Sequence, residues 1–508
     1  GDGTLEAKAP AFMVSSDYYY EYYDDEDYSN PVFTGHVNKL KLRDESVKAY
    51  PEFASSFESY MEEATTEATA TTQDYIKTAR ADREESIKAG EDYFYTGILE
   101  QDYLITRADE VCVSILSQRT TDLGGAHGYT EYTSRNFDTA TGQELEISDV
   151  IADRETLVDV LTESLIEAYS EDAFYASSEE GGLKAELKKF ADCVYDPENF
   201  TEDKAIYSFE WDFTADGVEV IFNAYAIAPY ASGTIKALVP YGSGLIDEKF
   251  VPGEDNSIIT QMPLYTTIQV DTNGDGEIEK YECWASQDVE NIDDYCALTV
   301  FCDDQTVEVE DYFFSYEQYM AVAEGKHFLI VDTSGYDDWH NIYCFELSDG
   351  HIYQKKVFDV ASTGGYYDAE NEIYYGNCLT DSSQMLLAKR FDILSTYNGY
   401  KSYKLNSNGA IESEDEYYTV DASFTLKFKQ DFEAETVDEN GEVTGNITVY
   451  SGTGFKIIRT DGETIVDGVI DDGTIVRLHP EHSEDAIYSY TINGLSVDEL
   501  FDDLFYAG

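Results

Sequence analysis

Apolar residues recur along this chain with two different periods, and the change from one to the other divides it. Val32, Phe33, Val37, Leu40 and Leu42 predict a strand over residues 32–42. Tyr50, Phe53, Phe57, Tyr60 and Met61 then fall at helical spacing, so residues 45–89 read as one long helix or two, stopped at Gly90. Strands are expected at about 93–107 and 110–120. Residues 154–168 and 183–191 carry the one-sided apolar stripe of amphipathic helices. Residues 208–213 and 217–222 form a hairpin through Ala215-Asp216-Gly217, and a strand breaking at Pro229 resumes over 234–239. This order predicts an α+β domain over residues 31–250, a sheet with helices on one face.

Gly242, Gly244, Pro252 and Gly253 punctuate a boundary over 245–257, and beyond it the helical period almost vanishes. Residues 256–445 read as mostly β. A weak repeat runs through Ile268-Gln269-Val270-Asp271, Leu329-Ile330-Val331-Asp332, Ile393-Leu394-Ser395-Thr396 and Ile457-Ile458-Arg459-Thr460, at spacings of 61 to 64 residues. Repeated β-units of that length predict a propeller-like array or stacked sheets. Residues 446–508 read as a terminal β-unit, SH3-like over 447–478. At the other end, residues 1–30 contain the acidic tyrosine tract Asp17–Tyr28, which by composition is a solvated stalk.

Charge narrows the partners. Lys and Arg number 32 against 104 Asp and Glu, a formal charge of -72, which repels nucleic acid and anionic lipid and favours divalent cations or basic proteins. Diffuse acidity also serves solubility. Forty-three tyrosines and 14% aromatic residues argue for folded domains over an acidic disordered chain. No run of roughly 18 apolar residues exists, so membrane insertion by this chain is not expected. Residues 2–30 read as the start of a mature exported chain whose leader was removed, which places the protein outside the cytoplasm, secreted or anchored to a bacterial surface. The cysteines, at 112, 193, 283, 296, 302, 344 and 378, show no CxxC spacing. Bridges within 283–378 and a fully reduced set are both open readings.

The sharpest chemical motif is Asp271-Thr272-Asn273-Gly274-Asp275-Gly276-Glu277-Ile278-Glu279-Lys280-Tyr281-Glu282. Oxygen side chains at positions 1, 3 and 5, glycine at 6 and glutamate at 12 match a calcium loop, because a hard cation needs six to eight oxygens from a short, sharply turned segment. Asp271, Asn273 and Asp275, the Glu277 carbonyl and either Glu279 or Glu282 would hold one structural Ca2+. Strands on both sides make this a strand-loop-strand site and not a helix-loop-helix. A second copy with Asp332, Ser334 and Asp338 is degenerate. His127 lacks a neighbouring acid or nucleophile and is expected to brace its turn. His479 and His482 lack the helical HExxH context of a zinc site.

Three segments carry a resemblance: the turn Gly124-Gly125-Ala126-His127-Gly128, the stretch Asn136-Phe137-Asp138 through Thr141-Gly142 and Leu145 to Ser148-Asp149, and Phe222 through Tyr225, Ile227 and Pro229-Tyr230-Ala231 to Gly233. Over residues 31–245 the chain resembles the extracytoplasmic domain shared by the lysozyme-sensing anti-sigma factor RsiV and PdaC-type peptidoglycan deacetylases. The resemblance implies a compact α/β unit outside the membrane that binds a ligand, a basic protein such as lysozyme or a cell-wall component. Deacetylase chemistry resides in a separate domain with paired histidines, and no such pairing occurs here. Tyr225, Pro229 and Tyr230 are the candidate contact residues, since aromatics beside a proline-fixed bend give rigid apolar area; against that, Phe222 and Tyr225 also read as core. The expectation is a non-catalytic binding protein. The alternative is a wall-modifying hydrolase with a carboxylate site in the β-rich half.

Overall fold

The structure is a computed structural model describing residues 9–23, 30–91, 94–288, 294–303, 305–335, 340–359, 365–368, 371–420, 422–482 and 489–506. Its first region is built on strands β1 (Phe12–Glu21), β2 (Phe33–Leu42), β3 (Gly97–Ala108), β4 (Cys112–Asp122) and β5 (Tyr129–Asp138). Between β2 and β3 lie helices α1 (Asp44–Ala49) and α2 (Pro51–Ala89). Tyr50 interrupts them because the residue before a proline is disfavoured in the helical region, and Pro51 starts α2 where its missing N–H costs nothing. Phe53, Phe57, Met61, Ala68, Thr72, Ala79 and Arg83 form the buried stripe of α2. Gly90 ends it in the left-handed conformation at φ 75°. This helix is the crossover that lets β2 and β3 pair in parallel.

The acidic tyrosine tract corrects its reading as a stalk. Phe12–Glu21 is a strand paired along its whole length with β2. Phe12 is buried edge-on against Phe57 at 5.4 Å, and Tyr19 packs on the Val32–Phe33 cluster. Composition obscured an alternation in which tyrosine, a good strand former, sits half-buried. Asp24 to Tyr28 lie outside the described residues.

Residues 139–250 add α3 (Ile147–Val150), α4 (Arg154–Tyr169) and α5 (Gly182–Tyr195), then β6 (Glu210–Phe213), β7 (Gly217–Phe222) and β8 (Ile235–Pro240). These strands make a separate three-stranded sheet, so the single sheet expected here is two, with α2 on the first and α4 and α5 on the second. Gly217 has no substitute in its hairpin, since a Cβ there would lie 2.1 Å from the Val239 carbonyl oxygen. Leu104, Leu116, Tyr132 and Ile221 join the two sheets.

The β-rich region holds β9 (Ile259–Met262), β10 (Ile268–Val270), β11 (Glu279–Gln287), β12 (Tyr295–Cys302), β13 (Gln305–Phe313), β14 (Ser315–Ala323), β15 (Lys326–Ser334), β16 (His340–Ser348) and β17 (His351–Asp359). They form a four-stranded sheet, β10-β11-β12-β13, packed on a five-stranded one, β17-β16-β15-β14-β9. The far face of the five-stranded sheet packs on strands from the last third of the chain. Buried on both faces, it reads as continuous apolar runs, Met320–Ala323 and Phe328–Val331. The sheets are stacked, and none of those described closes into a barrel. The four repeat segments occupy unlike places: an edge strand, a central strand, a bend before residue 397, and a strand in the last sheet.

Two expected boundaries are crossed. β18 (Gly365–Asp368) and β19 (Ile373–Asn377) return to the first sheet and extend it through β1, giving the order β18-β19-β1-β2-β3-β4-β5. Strands 454–460 and 475–478 pair with strands 418–420 and 432–437, so residues 446–508 are no separate SH3-like unit. Arg107, 1% exposed, ties the linker to β3: it donates to Asp109 Oδ2 at 2.7 Å, the Tyr241 hydroxyl at 2.7 Å and the Phe250 carbonyl at 2.6 Å. No disulfide joins the seven cysteines.

Candidate binding site

The interlocking of the two regions leaves a cleft of about 790 Å³ between them. Its floor is the face of the first sheet turned away from α2, where strand alternation places Asn38 on β2, Glu100, Asp102 and Leu104 on β3, Gln118 and Thr120 on β4, and Thr130 and Tyr132 on β5. The opposite wall comes from β9, the loop 263–267 and β14, with Gln261, Tyr265, Tyr316, Glu317 and Tyr319. Lys236 of β8, Gln269 of β10 and Asn377, the last residue of β19, complete the lining. Five tyrosine side chains line it, 132, 169, 265, 316 and 319, while Tyr103 turns its ring to Tyr60 of α2. A lining of aromatic faces and amides, with few mobile charges, suits a polar, hydroxyl-rich ligand held by stacking and hydrogen bonds.

Two of its carboxylates, Asp102 and Glu317, are held in place. Asp102 accepts from Asn38 Nδ2 at 2.6 Å and pairs with His36 Nε2 at 3.0 Å, a contact that raises the imidazole above its ordinary range. Glu317 accepts from the Tyr319 hydroxyl at 2.6 Å. By accessible area Glu317 stays open to the cleft, yet the protein around it, with the charges of Asp332 and Asp102, pushes its carboxyl upward.

The proposed contact residues meet the glycine turn beside this cleft. His127 stacks on Tyr230 with ring centres 3.5 Å apart, and its Nε2 lies 3.1 Å from the Tyr225 hydroxyl. Tyr230 donates to the Gly128 carbonyl at 2.6 Å, and His127 Nδ1 lies 3.0 Å from the same oxygen. The next residues on either side, Thr130 and Ser232-Gly233-Thr234, line the cleft. The trio thus fixes the rim, with Pro229 setting the entry to the turn. Phe222 is buried, whereas Tyr225 is 50% exposed and left-handed at φ 72°, which corrects its reading as core. Nothing in the local sequence placed Tyr265, Tyr316 or Glu317 opposite Asp102; only the return of β9 and β14 onto β3 does so.

The acidic loop lies apart, beside a second cavity of about 400 Å³ that Asp216 and His327 also line. Asp271 accepts from the backbone N–H of Asp275 at 3.1 Å and of Gly276 at 3.0 Å; Asp275 accepts from Glu277 N at 2.9 Å. Asn273 bridges Asp275 and Asp349. Glu279 folds back to accept from Thr272 N at 3.0 Å and its hydroxyl at 2.8 Å. Glu282 instead accepts from Trp284 Nε1 at 2.9 Å on β11, away from the loop. Among the described residues no three His, Cys, Asp or Glu side chains gather as metal ligands, so the calcium reading stands on the loop's sequence and turn. Asp338 lies outside the described residues. His479 pairs with Glu435 at 2.9 Å.

Residues 148–242, holding α4, α5, β6 to β8 and the Tyr225–Tyr230 bend, match the family described as "Protein of unknown function (DUF3298)". Two solved structures of that family are similar to part of the chain. One, from Bacteroides fragilis, is 17% identical over 48% of this chain and 96% of its own, with a TM-score of 0.33. The other, from Pseudomonas aeruginosa, is 16% identical over the same shares, with a TM-score of 0.29. No curated protein matches. Among the described residues no helix is long and apolar enough to cross a membrane.

Proposed function

We propose that this chain is a non-catalytic binding protein of the bacterial cell surface whose cleft receives a hydroxyl-rich cell-wall ligand. The observation that carries this reading is the cleft of about 790 Å³, walled by five tyrosine side chains and by amide side chains from both regions. Tyrosine supplies stacking area at low entropic cost, and Asn38, Gln118, Gln261, Gln269 and Asn377 supply paired donors and acceptors. A basic protein such as lysozyme is the other partner that the sequence resemblance implies. The net charge of -72 would steer it, but Tyr230 and His127 are stacked on each other and leave mainly Tyr225 to make contact.

The hydrolytic reading is favoured by one observation, the presence of Glu317 and Asp102 in one cleft. Both carboxylates are already hydrogen-bonded to neighbours, as expected of groups that position a ligand.

Titration calorimetry with an N-acetylglucosamine tetramer tests the proposal. Saturable binding is expected, and Tyr265→Ala, which removes a 55%-exposed ring at the cleft wall, weakens it by about tenfold without lowering the melting temperature. Absence of binding, or steady release of shorter sugars, defeats the reading.

A structural calcium ion in the 271–279 loop belongs to the same proposal. Gly274 and Gly276 take left-handed turns, at φ 73° and 88°, and within that turn the Asp271 carboxylate accepts from the backbone N–H groups of Asp275 and Gly276 while Asn273 Nδ2 donates to Asp275 Oδ2. Calcium added to a chelator-stripped sample is expected to raise the melting temperature, and Asp271→Asn to abolish the rise. An unchanged melting curve removes the ion from the account.

A further inference from the structure

Beside Lys236 the cleft continues into a smaller cavity of about 30 Å³, room for one water-sized group. The two spaces share Lys236, Gln261, Thr267 and Gln269 as walls. Lining the smaller one is Asp212 of β6, fully buried, with neither carboxylate oxygen hydrogen-bonded. The neighbouring Thr106 hydroxyl lies 3.4 Å from the Ser114 carbonyl and also faces the Asp212 carboxylate, a weak pull toward the charged form that burial outweighs. Across the ladder, Asp212 is paired with Glu219, whose Oε1 takes the Lys236 ammonium at 2.8 Å. Two carboxylates, one fully buried and one mostly so, therefore share one cation. A buried unpaired carboxylate is costly, and one further positive charge is what the cluster lacks.

We propose that this inner cavity is an amine subsite, where a protonated primary amine on the bound ligand enters and is held by Asp212 beside Glu219. The inference rests on the cleft being a binding site and specifies which ligands it prefers. Without ligand, a proton on Asp212 meets the deficit: burial and Glu219 push its carboxyl well above the ordinary range, against the opposing pull of Lys236. The groups facing it are Glu219 on β7 and Lys236 on β8, with Glu210 on its own strand and the Tyr132 ring over Lys236. When the ammonium arrives, that proton passes to solvent and an N–H···O contact replaces the O–H bond. A ligand whose nitrogen is acetylated brings no charge and leaves the proton where it was.

The test compares a glucosamine tetramer bearing free amines with its N-acetylated counterpart, by calorimetry in two buffers of different ionisation enthalpy at mildly acidic pH. The amine tetramer is expected to bind about tenfold more tightly and to release about one proton per chain, visible as a buffer-dependent heat. In Asp212→Asn both the preference and the proton release disappear. Equal affinities, or a wild-type heat independent of buffer, overturn the subsite while leaving the cleft reading intact. If neither tetramer binds, both fall. The wild-type buffer comparison is decisive even if the variant folds poorly.

Discussion

Replacing Arg107 with methionine is expected to cost about 3–5 kcal/mol of stability, the range for breaking a buried charged network by removing one partner. The side chain is 1% exposed, and its donors reach Asp109, Tyr241 and the Phe250 carbonyl. Burial alone would weaken its hold on the proton; Tyr241, Cys112 and Asp109 reverse that and bind the charge more firmly than usual. Its rings, Phe213 at 5.4 Å and Tyr241 at 5.6 Å, bring the three-stranded sheet and the linker into the same contact. Loss of Arg107 should therefore release residues 241–250 before the rest. Thermal melting followed by limited proteolysis checks this: early cleavage in the linker is predicted, and a wild-type digestion pattern with an unchanged melt would refute it.

An effect of similar size is expected from Asp467→Ala in the last sheet. Asp467 is fully buried and accepts from Arg477 Nε at 2.7 Å and Nη2 at 2.8 Å, and from Arg459 Nε at 2.5 Å. The hydrogen bonds to Asp467 raise the Arg477 guanidinium above its ordinary range, and even without them the intrinsic basicity of a guanidinium keeps it charged. Two inward guanidinium groups would then lack a counter-charge, at a cost of about 3–5 kcal/mol. Chemical denaturation should show the transition of residues 385–502 moved to lower denaturant. A double variant, Asp467→Leu with Arg477→Met, should recover much of the loss, because it removes the buried charge as well as its partner.

Local features of the fold were legible wherever one segment decides its own conformation. The α2 stripe from Phe53 to Met61, its stop at Gly90 and the hairpin through Gly217 follow from period and turn chemistry. The strand Phe12–Glu21 was hidden because its tyrosines and aspartates look solvated by composition, and only pairing with β2 reveals their alternation. The repeat misled for a different reason: apolar triplets followed by a polar turn arise wherever a strand ends. Strand β19 illustrates the limit of any local reading, since its partner β1 lies more than 340 residues away in the chain.

The candidate site divides in the same way. The acidic loop is contiguous and announced itself, and so did the glycine turn and the Tyr225–Tyr230 bend. The structure joins those last two through His127, a pairing that no spacing rule supplies. The cleft was invisible because its lining comes from many elements, one or two residues at a time. Asp212, inside the short strand Glu-Trp-Asp-Phe, reads as an ordinary polar position until its buried, unpartnered oxygens are seen.

The central claim is that the space between the two regions is where a ligand sits. Hydrogen exchange of the chain with and without the N-acetylglucosamine tetramer tests it most directly. The account predicts slowed exchange confined to β3 and β4 around residues 100–104 and 118–120, the loop 263–267 and β14 around 316–319, with the acidic loop unchanged. Protection confined to other surfaces, or none at saturating sugar, would contradict it.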